Sequence, residues 1–283
     1  MSSRPCSDAK PVTVPEIRAA KGERKLCMVT AYDYPSARIA DQAGVDMILV
    51  GDSLAMVVLG QQDTLGVTME DMLHHTLAAS RGRSRALLVG DMPFLSYQAD
   101  VAEAVRNAGR FLAQGRANAV KLEGGKAYAP HVAAMVGAGI PVVGHVGLTP
   151  QYFNTLGGFK TQGRSAASAR AMLEDAKALE EAGAFAMVLE AVPEETAALI
   201  TRELTIPTIG IGAGNVTDGQ VLVLHDLLGL FDRFVPKFVK QYAQIGPAMV
   251  DALQSYCDEV RSGAFPAPEH TFRLPPEERD KLA

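Results

Sequence analysis

Short apolar runs alternate with longer stretches of helical spacing through most of the chain. The runs end in glycine or an acidic residue, and their length and β-branched content are typical of buried strands. Eight of them occur in order, namely LCMVTAY (26–32), DMILVGD (46–52), ALLVGDM (86–92), NAVKLEGG (118–125), PVVGHVGL (141–148), FAMVLEA (185–191), PTIGIGAG (207–214) and RFVPKFV (233–239). The spacing of apolar positions predicts helices over residues 35–43, 70–80, 99–114, 130–138, 166–182 and 194–204, and a long amphipathic helix over 242–261.

Near-continuous apolar strands joined by helices are typical of a parallel sheet that is buried on both faces. Eight such units in one chain of 283 residues predict a single-domain α/β fold, the (β/α)8 or TIM barrel. A doubly wound sheet is the alternative, but it usually carries a glycine-rich turn after its first strand. Here that turn follows the seventh run, where barrels often bind phosphate or other anions, so the barrel is favoured.

Two segments lie outside the repeat. Residues 1–24 are polar and contain three prolines, which predicts an N-terminal arm, whereas residues 25–263 hold the barrel. Residues 264–283 are rich in proline and charge, which predicts a C-terminal tail that follows the surface or moves. A long glycine-containing loop over residues 151–167 follows the fifth run and is a candidate lid.

Composition excludes several classes of protein. The net charge is −5, whereas a nucleic-acid-binding domain carries a basic stripe. The three cysteines are scattered and form no C-x-x-C pair, which argues against a disulfide framework or a zinc site. The first residues lack the apolar core of a secretory leader, and no apolar run approaches the roughly 20 residues of a membrane helix. We therefore expect a cytoplasmic protein that binds neither nucleic acid nor membrane.

Polar residues stand at the ends of the predicted strands, where barrel enzymes carry their chemistry. Asp52, Asp91 and Glu123 end three successive strands, and adjacent strands lie about 4.8 Å apart, so their carboxylates can converge. Crowded carboxylates repel unless a cation neutralises them, and oxygen ligands favour a hard ion such as Mg²⁺. A single carboxylate at such a position would more commonly cap the following helix, and Ser53 could also be a helix cap. Three carboxylates on successive strands instead favour a metal site.

Three further residues have both a functional and a structural interpretation. Lys121, within an apolar strand, binds a substrate carboxylate or developing oxyanion, or else pairs with a neighbouring carboxylate. Glu190 follows FAMVL, where burial raises its pKa towards that of a general base, although it could instead cap the next helix or bridge to Lys121. His145 on a buried strand is either a site residue or a hydrogen-bonded core residue.

The glycine-rich turn TIGIGAGNVTDGQ (208–220) also has two interpretations. Its backbone N–H groups could cradle a phosphate, or its glycines could let a bulky ligand approach the backbone. Leaving this turn aside, a hard metal, a lysine and a separate carboxylate base suit enolate chemistry on a 2-oxo acid. The enolate would then attack a one-carbon electrophile, or the reverse cleavage would occur.

At these same residues the sequence resembles the ketopantoate hydroxymethyltransferase (3-methyl-2-oxobutanoate hydroxymethyltransferase) family, from about residue 25 to about residue 272. The family commonly has glycine at the position of Ala55 and often cysteine at that of Ala191, and neither departure removes a charged group. The segments that carry the resemblance are TAYDYPSA (30–37), ILVGDSLAMVVLG (48–60), TLGVTMEDMLHHT (64–76), GDMPFLSY (90–97), VKLEGG (120–125), GHVGLTPQ (144–151), GGFKTQGR (157–164), VLEAVP (188–193) and IPTIGIGAGNVTDGQVLVLHDLLG (206–229), followed by SGAFPAPEHTF (262–272).

The resemblance implies a (β/α)8 barrel that uses Mg²⁺. It implies transfer of a hydroxymethyl group from 5,10-methylenetetrahydrofolate to 3-methyl-2-oxobutanoate, which gives 2-dehydropantoate for pantothenate and coenzyme A synthesis. It also implies a homo-oligomer, commonly a homodecamer.

The family's site residues carry over one by one. Asp52 and Asp91 match metal ligands, and Glu123 matches a residue beside the metal. Ser53 and Lys121 match groups that bind the 2-oxo acid, so we assign them to the substrate site together with Asp52, Asp91 and His145. Glu190 matches the acceptor of the C3 proton.

Two other functions remain open on the sequence. A related metal-dependent lyase would cleave a C–C bond of a 2-oxo or 2-hydroxy diacid, and it would need an extra arginine and a reactive loop cysteine. Cys27 lies in the first strand and Cys6 in the arm, so neither fits that role easily. A non-catalytic barrel would instead bind sugar phosphates at GIGAG (210–214) without a metal.

Overall fold

The structure is a computed structural model, and it describes residues 10–282. Over this range eight parallel strands close into a barrel in sequence order, and the last strand pairs with the first. The strands are β1 (Leu26–Thr30), β2 (Met47–Val50), β3 (Leu87–Asp91), β4 (Ala119–Glu123), β5 (Val142–Gly147), β6 (Ala186–Glu190), β7 (Thr208–Ile211) and β8 (Gly219–Leu222). The predicted (β/α)8 barrel in one domain is confirmed.

Helices surround the barrel close to the predicted positions. Capping boxes begin four of them, at Thr13, Asp33, Thr68 and Ser165, where a side chain satisfies free N–H groups of the first turn. In the described part of the chain the helices are α1 (Val14–Ala19), α2 (Tyr34–Gln42), α3 (Leu54–Val57), α4 (Met69–Gly82), α5 (Val101–Ala113), α6 (Ala129–Gly137), α7 (Phe153–Leu156), α8 (Ala166–Glu181), α9 (Glu194–Glu203), α10 (Leu224–Leu227), α11 (Ile245–Ser262) and α12 (Pro276–Arg279).

The eighth strand lies elsewhere than predicted. Residues 233–239 form no strand, and β8 is instead the four-residue segment Gly219–Leu222, reached from β7 without an intervening helix. Pro236 has no N–H to give to a ladder, so the run RFVPKFV is a poor central strand despite its apolar content. Its aromatic side chains Phe234 and Phe238 line the mouth of the barrel instead.

Helix α1 closes the N-terminal end of the barrel. Ile17 and Ala20 are buried against side chains that fill the barrel interior, among them Leu26 and Met47. Lys21, just after the helix, holds it in place through an ion pair with Asp218, 2.8 Å from Nζ to Oδ2. The part of the predicted arm over residues 10–24 therefore seals the barrel floor, while residues 1–9 lie outside the described residues.

Helix α11 stands apart from the barrel core. None of its residues is buried, and its apolar side chains fall on one face at helical spacing. The exposed apolar residues are Ile245, Met249, Val250, Leu253, Tyr256 and Val260. The predicted tail continues beyond it as exposed chain with one short helix, α12, up to residue 282. Within residues 10–282, none of the helices combines the length and the apolar character needed to cross a bilayer.

Candidate active site

A cavity of about 670 Å³ opens at the C-terminal ends of the strands. The register of neighbouring strands brings the predicted residues to this end, since Asp91 pairs with Lys121 and Glu123 pairs with His145. All seven predicted site residues line the cavity: Asp52, Ser53, Asp91, Lys121, Glu123, His145 and Glu190.

Lys121 is the cation at the centre of the polar cluster. Its Nζ lies 2.8 Å from Oδ1 of Asp91 and 4.0 Å from Oε1 of Glu123. Burial alone would lower the pKa of Lys121, but the carboxylates of Asp91, Glu123 and Asp52 outweigh it and raise that pKa above its usual value. The lysine is therefore charged. It forms the predicted ion pairs with neighbouring carboxylates, and it also lines the cavity, where a substrate oxygen could contact it.

Asp52 and Asp91 are joined at the ends of β2 and β3. The backbone N–H of Asp52 donates to Oδ2 of Asp91 at 3.1 Å, and Nε2 of Gln151 donates to Oδ2 of Asp52 at 3.0 Å. Neither carboxylate caps a helix; α5 is capped by Asp100, and α3 begins after Ser53. Burial raises the pKa of both, that of Asp91 to about 7, although Lys121 opposes the shift.

Glu123 completes the group of buried acids. Its Oε2 accepts a hydrogen bond from the backbone N–H of Gln151 at 3.1 Å, and burial raises its pKa well above the usual range. Within residues 10–282, no three His, Cys, Asp or Glu side chains are arranged as a complete ligand set. Mg²⁺, however, is commonly held by one or two carboxylates, with water and substrate completing the octahedron. The oxygen-only pair Asp52 and Asp91 fits that requirement.

Glu190 lies at the end of β6 and faces the cavity, with one-fifth of its side chain exposed. Burial raises its pKa to about 8, while Lys121 opposes the shift. No ion pair within 4.0 Å joins Glu190 to Lys121 among the described side chains. A carboxylate of this basicity that faces a cavity has the chemistry of a general base.

His145 lies between Lys121 and Glu190. Nζ of Lys121 is 3.3 Å from Nδ1 of His145, and Nε2 of His145 is 3.4 Å from Oε2 of Glu190. Burial, assisted by Lys121, lowers the pKa of His145 well below its usual value, so the ring is neutral. Because lysine can only donate, Nδ1 is the acceptor and Nε2 carries the proton, which then faces Glu190.

Two residues outside the predicted set hold this cluster in place. Tyr32 is buried, and its hydroxyl lies 2.9 Å from Oγ of Ser53, whose side chain makes no helix-capping bond. Gln151 binds Asp52, Glu123 and the carbonyl of Met92, and its own amide oxygen accepts from Tyr97 at 3.1 Å. An amide and a phenol carry no charge at neutral pH, so a pattern of charged residues at strand ends does not indicate them.

The glycine-rich turn after β7 is covered by an aromatic ring. Gly212 has a φ of +65°, and a Cβ there would lie 2.7 Å from Phe238. This close approach of the Phe238 side chain explains Gly212 without a phosphate or any other ligand, and the two ligand-based interpretations of the turn stay predictions. Phe159 and Thr161 of the candidate lid also line the cavity.

Comparison with known proteins identifies relatives of this chain in fold and in sequence. A structural match is the crystal structure of phosphonopyruvate hydrolase, with a TM-score of 0.60, 14% sequence identity and coverage of 96% of this chain and 94% of that one, which shows the fold alone. Among curated proteins, 3-methyl-2-oxobutanoate hydroxymethyltransferase of Syntrophobacter fumaroxidans is 61% identical over 96% of both chains. That of Oleidesulfovibrio alaskensis is 60% identical over 96% of this chain and 94% of its own.

The profile of one protein family matches residues 11–268, a range that includes every strand of the barrel and the entire polar cluster. That family is described as ketopantoate hydroxymethyltransferase. The match covers far more than half of the chain and agrees with the identities above 50% to curated members. The chain therefore belongs to the ketopantoate hydroxymethyltransferase family.

Proposed function

We propose that this chain transfers a hydroxymethyl group from 5,10-methylenetetrahydrofolate to 3-methyl-2-oxobutanoate. The product would be 2-dehydropantoate, the entry to pantothenate and coenzyme A synthesis, and the catalytic domain would span residues 25–263. The observation that carries the proposal is the pairing, in one cavity, of a charged Lys121 with a separate carboxylate, Glu190, whose pKa is raised to about 8. Enolate chemistry needs both a cation for the developing oxyanion and a base for the carbon acid.

Asp52 and Asp91 would hold Mg²⁺, with Glu123 beside them. Bound there, Mg²⁺ would act as a Lewis acid towards the ketone and carboxylate oxygens of the 2-oxo acid. Among residues 10–282, Lys121 is the one lysine or arginine within 4.0 Å of Asp91 and Glu123, so these acids are short of compensating cations. Burial, together with the neighbouring Asp52 carboxylate, raises the pKa of Asp91, and a divalent ion would oppose both effects.

The chain's own residues would carry the remaining steps. Lys121 and the hydroxyl of Ser53, held by Tyr32, would bind the oxygens of the 2-oxo acid. Glu190 would take the C3 proton. Water would release the methylene carbon from both folate nitrogens at the oxidation level of formaldehyde, which leaves tetrahydrofolate, and the enolate carbon would add to that carbonyl group. The proton held by Glu190 would return to the new alkoxide oxygen, which becomes the hydroxyl of the product. Nε2 of His145 lies 3.4 Å from Oε2 of Glu190 and has no hydrogen-bond partner among the described residues, so it would be free to donate to Glu190 and orient it towards the substrate.

The two alternative functions find less support in the cavity. A diacid lyase would need an arginine for the second carboxylate and a reactive cysteine, and the described residues that line the cavity include neither. A phosphate-binding barrel would need an open glycine turn after β7, whereas Phe238 packs against Gly212.

The direct test is product formation. We expect the purified protein to make 2-dehydropantoate from 3-methyl-2-oxobutanoate and 5,10-methylenetetrahydrofolate when Mg²⁺ is added, and not after treatment with a chelator. Calorimetric titration with the 2-oxo acid, with and without Mg²⁺, separates the alternatives. Binding of sugar phosphates without metal, and no product, would favour the non-catalytic barrel.

Removal of one proposed metal ligand should weaken Mg²⁺ binding. We expect Asp91→Ala to raise the Mg²⁺ concentration needed for half-maximal activity by at least about 10-fold. Loss of a residue that only hydrogen-bonds a metal ligand already weakens metal binding by about 10- to 100-fold, and loss of a direct ligand should weaken it at least as much. Calorimetry measures the affinity, and Asp258→Ala on the exposed helix α11 serves as control. Unchanged affinity in Asp91→Ala would remove this residue from the proposed ligand set.

We also propose that the chain forms a homo-oligomer, as ten copies if it follows the resemblance. The support is the apolar face of α11, which is left uncovered although the helix runs for 18 residues. We expect Leu253→Glu to shift the mass measured by light scattering to smaller species. Ser255→Glu adds the same charge on the opposite face of the helix and should leave the mass unchanged; an equal shift in both variants would contradict the proposal.

A further inference from the structure

Asp226 lies across the barrel mouth from the catalytic lysine. It belongs to α10, directly after β8, and β8 stands four strands from β4 around the closed barrel. The carboxylate lines the same cavity as Lys121 and Glu190, but at the opposite side. None of the steps proposed above uses it.

The Asp226 side chain has no protein partner. It is 9% exposed, and no hydrogen bond or ion pair to it exists among residues 10–282. Other buried aspartates are well satisfied: Asp41 accepts from the backbone of Arg85 and Ala86, and Asp218 binds Lys21 and Thr208. Burial raises the pKa of Asp226 to about 6, so at neutral pH it is mostly an unpaired carboxylate.

The Asp226 carboxylate faces the cavity, and since none of the described residues is its partner, only cavity water or a ligand can supply its hydrogen bonds. Lys237 lines the same cavity but makes no ion pair with Asp226. The residues near Asp226 in sequence that line the cavity are largely apolar and aromatic, namely Val223, Phe231, Phe234 and Phe238. Such a wall suits a flat heterocycle, and the carboxylate would recognise two adjacent N–H groups on its edge. A five-carbon 2-oxo acid has neither a ring nor any N–H group, so it cannot be the partner.

We propose that Asp226 binds the pterin of the folate donor, accepting hydrogen bonds from the ring N3–H and the 2-amino group. This assignment rests on the proposed hydroxymethyl transfer and adds a recognition residue to it. The two N–H groups of this edge form a planar fork, which a carboxylate matches in the same way as it matches guanidinium. The pterin would then occupy the β8 side of the cavity, and the 2-oxo acid would occupy the side of β2 to β6.

The test compares donor recognition with chemistry that needs no donor. Asp226→Asn keeps the shape but cannot accept from both N–H groups. We expect its KM for 5,10-methylenetetrahydrofolate to rise about 10- to 100-fold, the loss of a charged hydrogen bond. Mg²⁺-dependent exchange of the C3 proton of 3-methyl-2-oxobutanoate, which needs no folate, should stay within about twofold of the unmodified protein. Asp232→Asn, at an exposed aspartate six residues on, should change neither quantity.

A second comparison uses a donor that lacks the 2-amino group. The unmodified protein should use 2-desamino-5,10-methylenetetrahydrofolate at least about 10-fold less well than the natural donor, measured as kcat/KM. Asp226→Asn should discriminate between the two by less than about threefold. Equal discrimination in both proteins, or an unchanged KM for the natural donor, would overturn the assignment of Asp226.

The outcomes separate this assignment from the proposed function. If the unmodified protein neither exchanges the C3 proton nor forms product, the proposed function is wrong, and the pterin assignment fails with it. If exchange and product formation occur and Asp226→Asn behaves as the unmodified protein, only the pterin assignment fails. If Asp226→Asn loses exchange because it does not fold, Asp226→Glu, which keeps the carboxylate, is read by its discrimination between the two donors: retained discrimination supports the assignment, and lost discrimination overturns it.

Discussion

Replacing Glu190 with glutamine should abolish exchange of the C3 proton of 3-methyl-2-oxobutanoate in deuterated water. Glutamine has nearly the same shape but cannot accept that proton, so the rate should fall about 10²- to 10⁴-fold, the usual contribution of a general base. Proton NMR of the 2-oxo acid follows the exchange directly and requires no folate. Binding of the 2-oxo acid, measured by calorimetry, should change little, because Lys121 and Ser53 remain.

The dependence of this exchange on pH is a second, independent test of Glu190. Only the ionised carboxylate can take the proton, and burial raises the pKa of Glu190 to about 8. The rate in the unmodified protein should therefore rise with pH and level off above about 8, far above the usual titration of a glutamate. Glu195→Gln, at an exposed position on α9, should exchange normally. Full exchange in Glu190→Gln would show that another group is the base.

Replacing Lys121 with methionine should damage both stability and activity. The ammonium lies against Asp91 and Glu123 in a site where the lysine is 4% exposed, so its removal leaves buried carboxylates without their cation. Breaking a buried pair in this way costs about 3–5 kcal/mol of unfolding free energy. Loss of the positive charge should also lower turnover by about 10²- to 10³-fold, the usual effect of removing a group that stabilises an oxyanion.

The sign of the pH effect on this variant follows from the pKa values. With Lys121 present, burial already raises the pKa of Asp91 to about 7, and removing the lysine raises it further. A carboxyl whose pKa is raised in the folded state stabilises that state while protonated, and this stability is lost as pH rises through the folded pKa. Urea unfolding should therefore show a larger loss at pH 8 than at pH 6. Lys177→Met removes an exposed ion pair with Glu203 and should cost less than about 1 kcal/mol; a similarly small cost for Lys121→Met would contradict this account.

The barrel and the charged residues of its site could be predicted because both depend on short segments of neighbouring residues. A buried strand and the charged residue that ends it are neighbours in sequence, so runs such as AVKLE indicate a strand and its site residue together. The predicted position of the eighth strand is wrong, because the four residues of β8 after a glycine-rich turn are too few to show a strand pattern. RFVPKFV has the apolar content of a strand, but its proline has no N–H group to pair with a neighbouring strand.

The supporting residues depend on tertiary structure that no local pattern contains. Gln151 reaches Asp52 and Glu123 across 99 and 28 positions of the chain, through a loop after β5. Tyr32 meets Ser53 only because β1 and β2 pair. The closing role of α1 is equally hidden, since the few large apolar residues that pack there, Val12, Val14 and Ile17, are scattered among prolines and charged residues. Charge and strand ends therefore reveal reacting groups, while neutral residues that orient them require the fold.

The sealed barrel floor has a kinetic consequence. Among the described residues α1 fills the lower end, so the way from solvent to the cavity lies at the strand ends. Glu123 and His145 lie deep, each 1% exposed, whereas Phe234 at the rim is 68% exposed. A bulky donor bound at this mouth would hinder passage of the small acid to the deeper residues, so we expect the acid to enter before the donor. The same geometry would make the spent donor leave first and the new carbon compound last, an ordered sequential scheme.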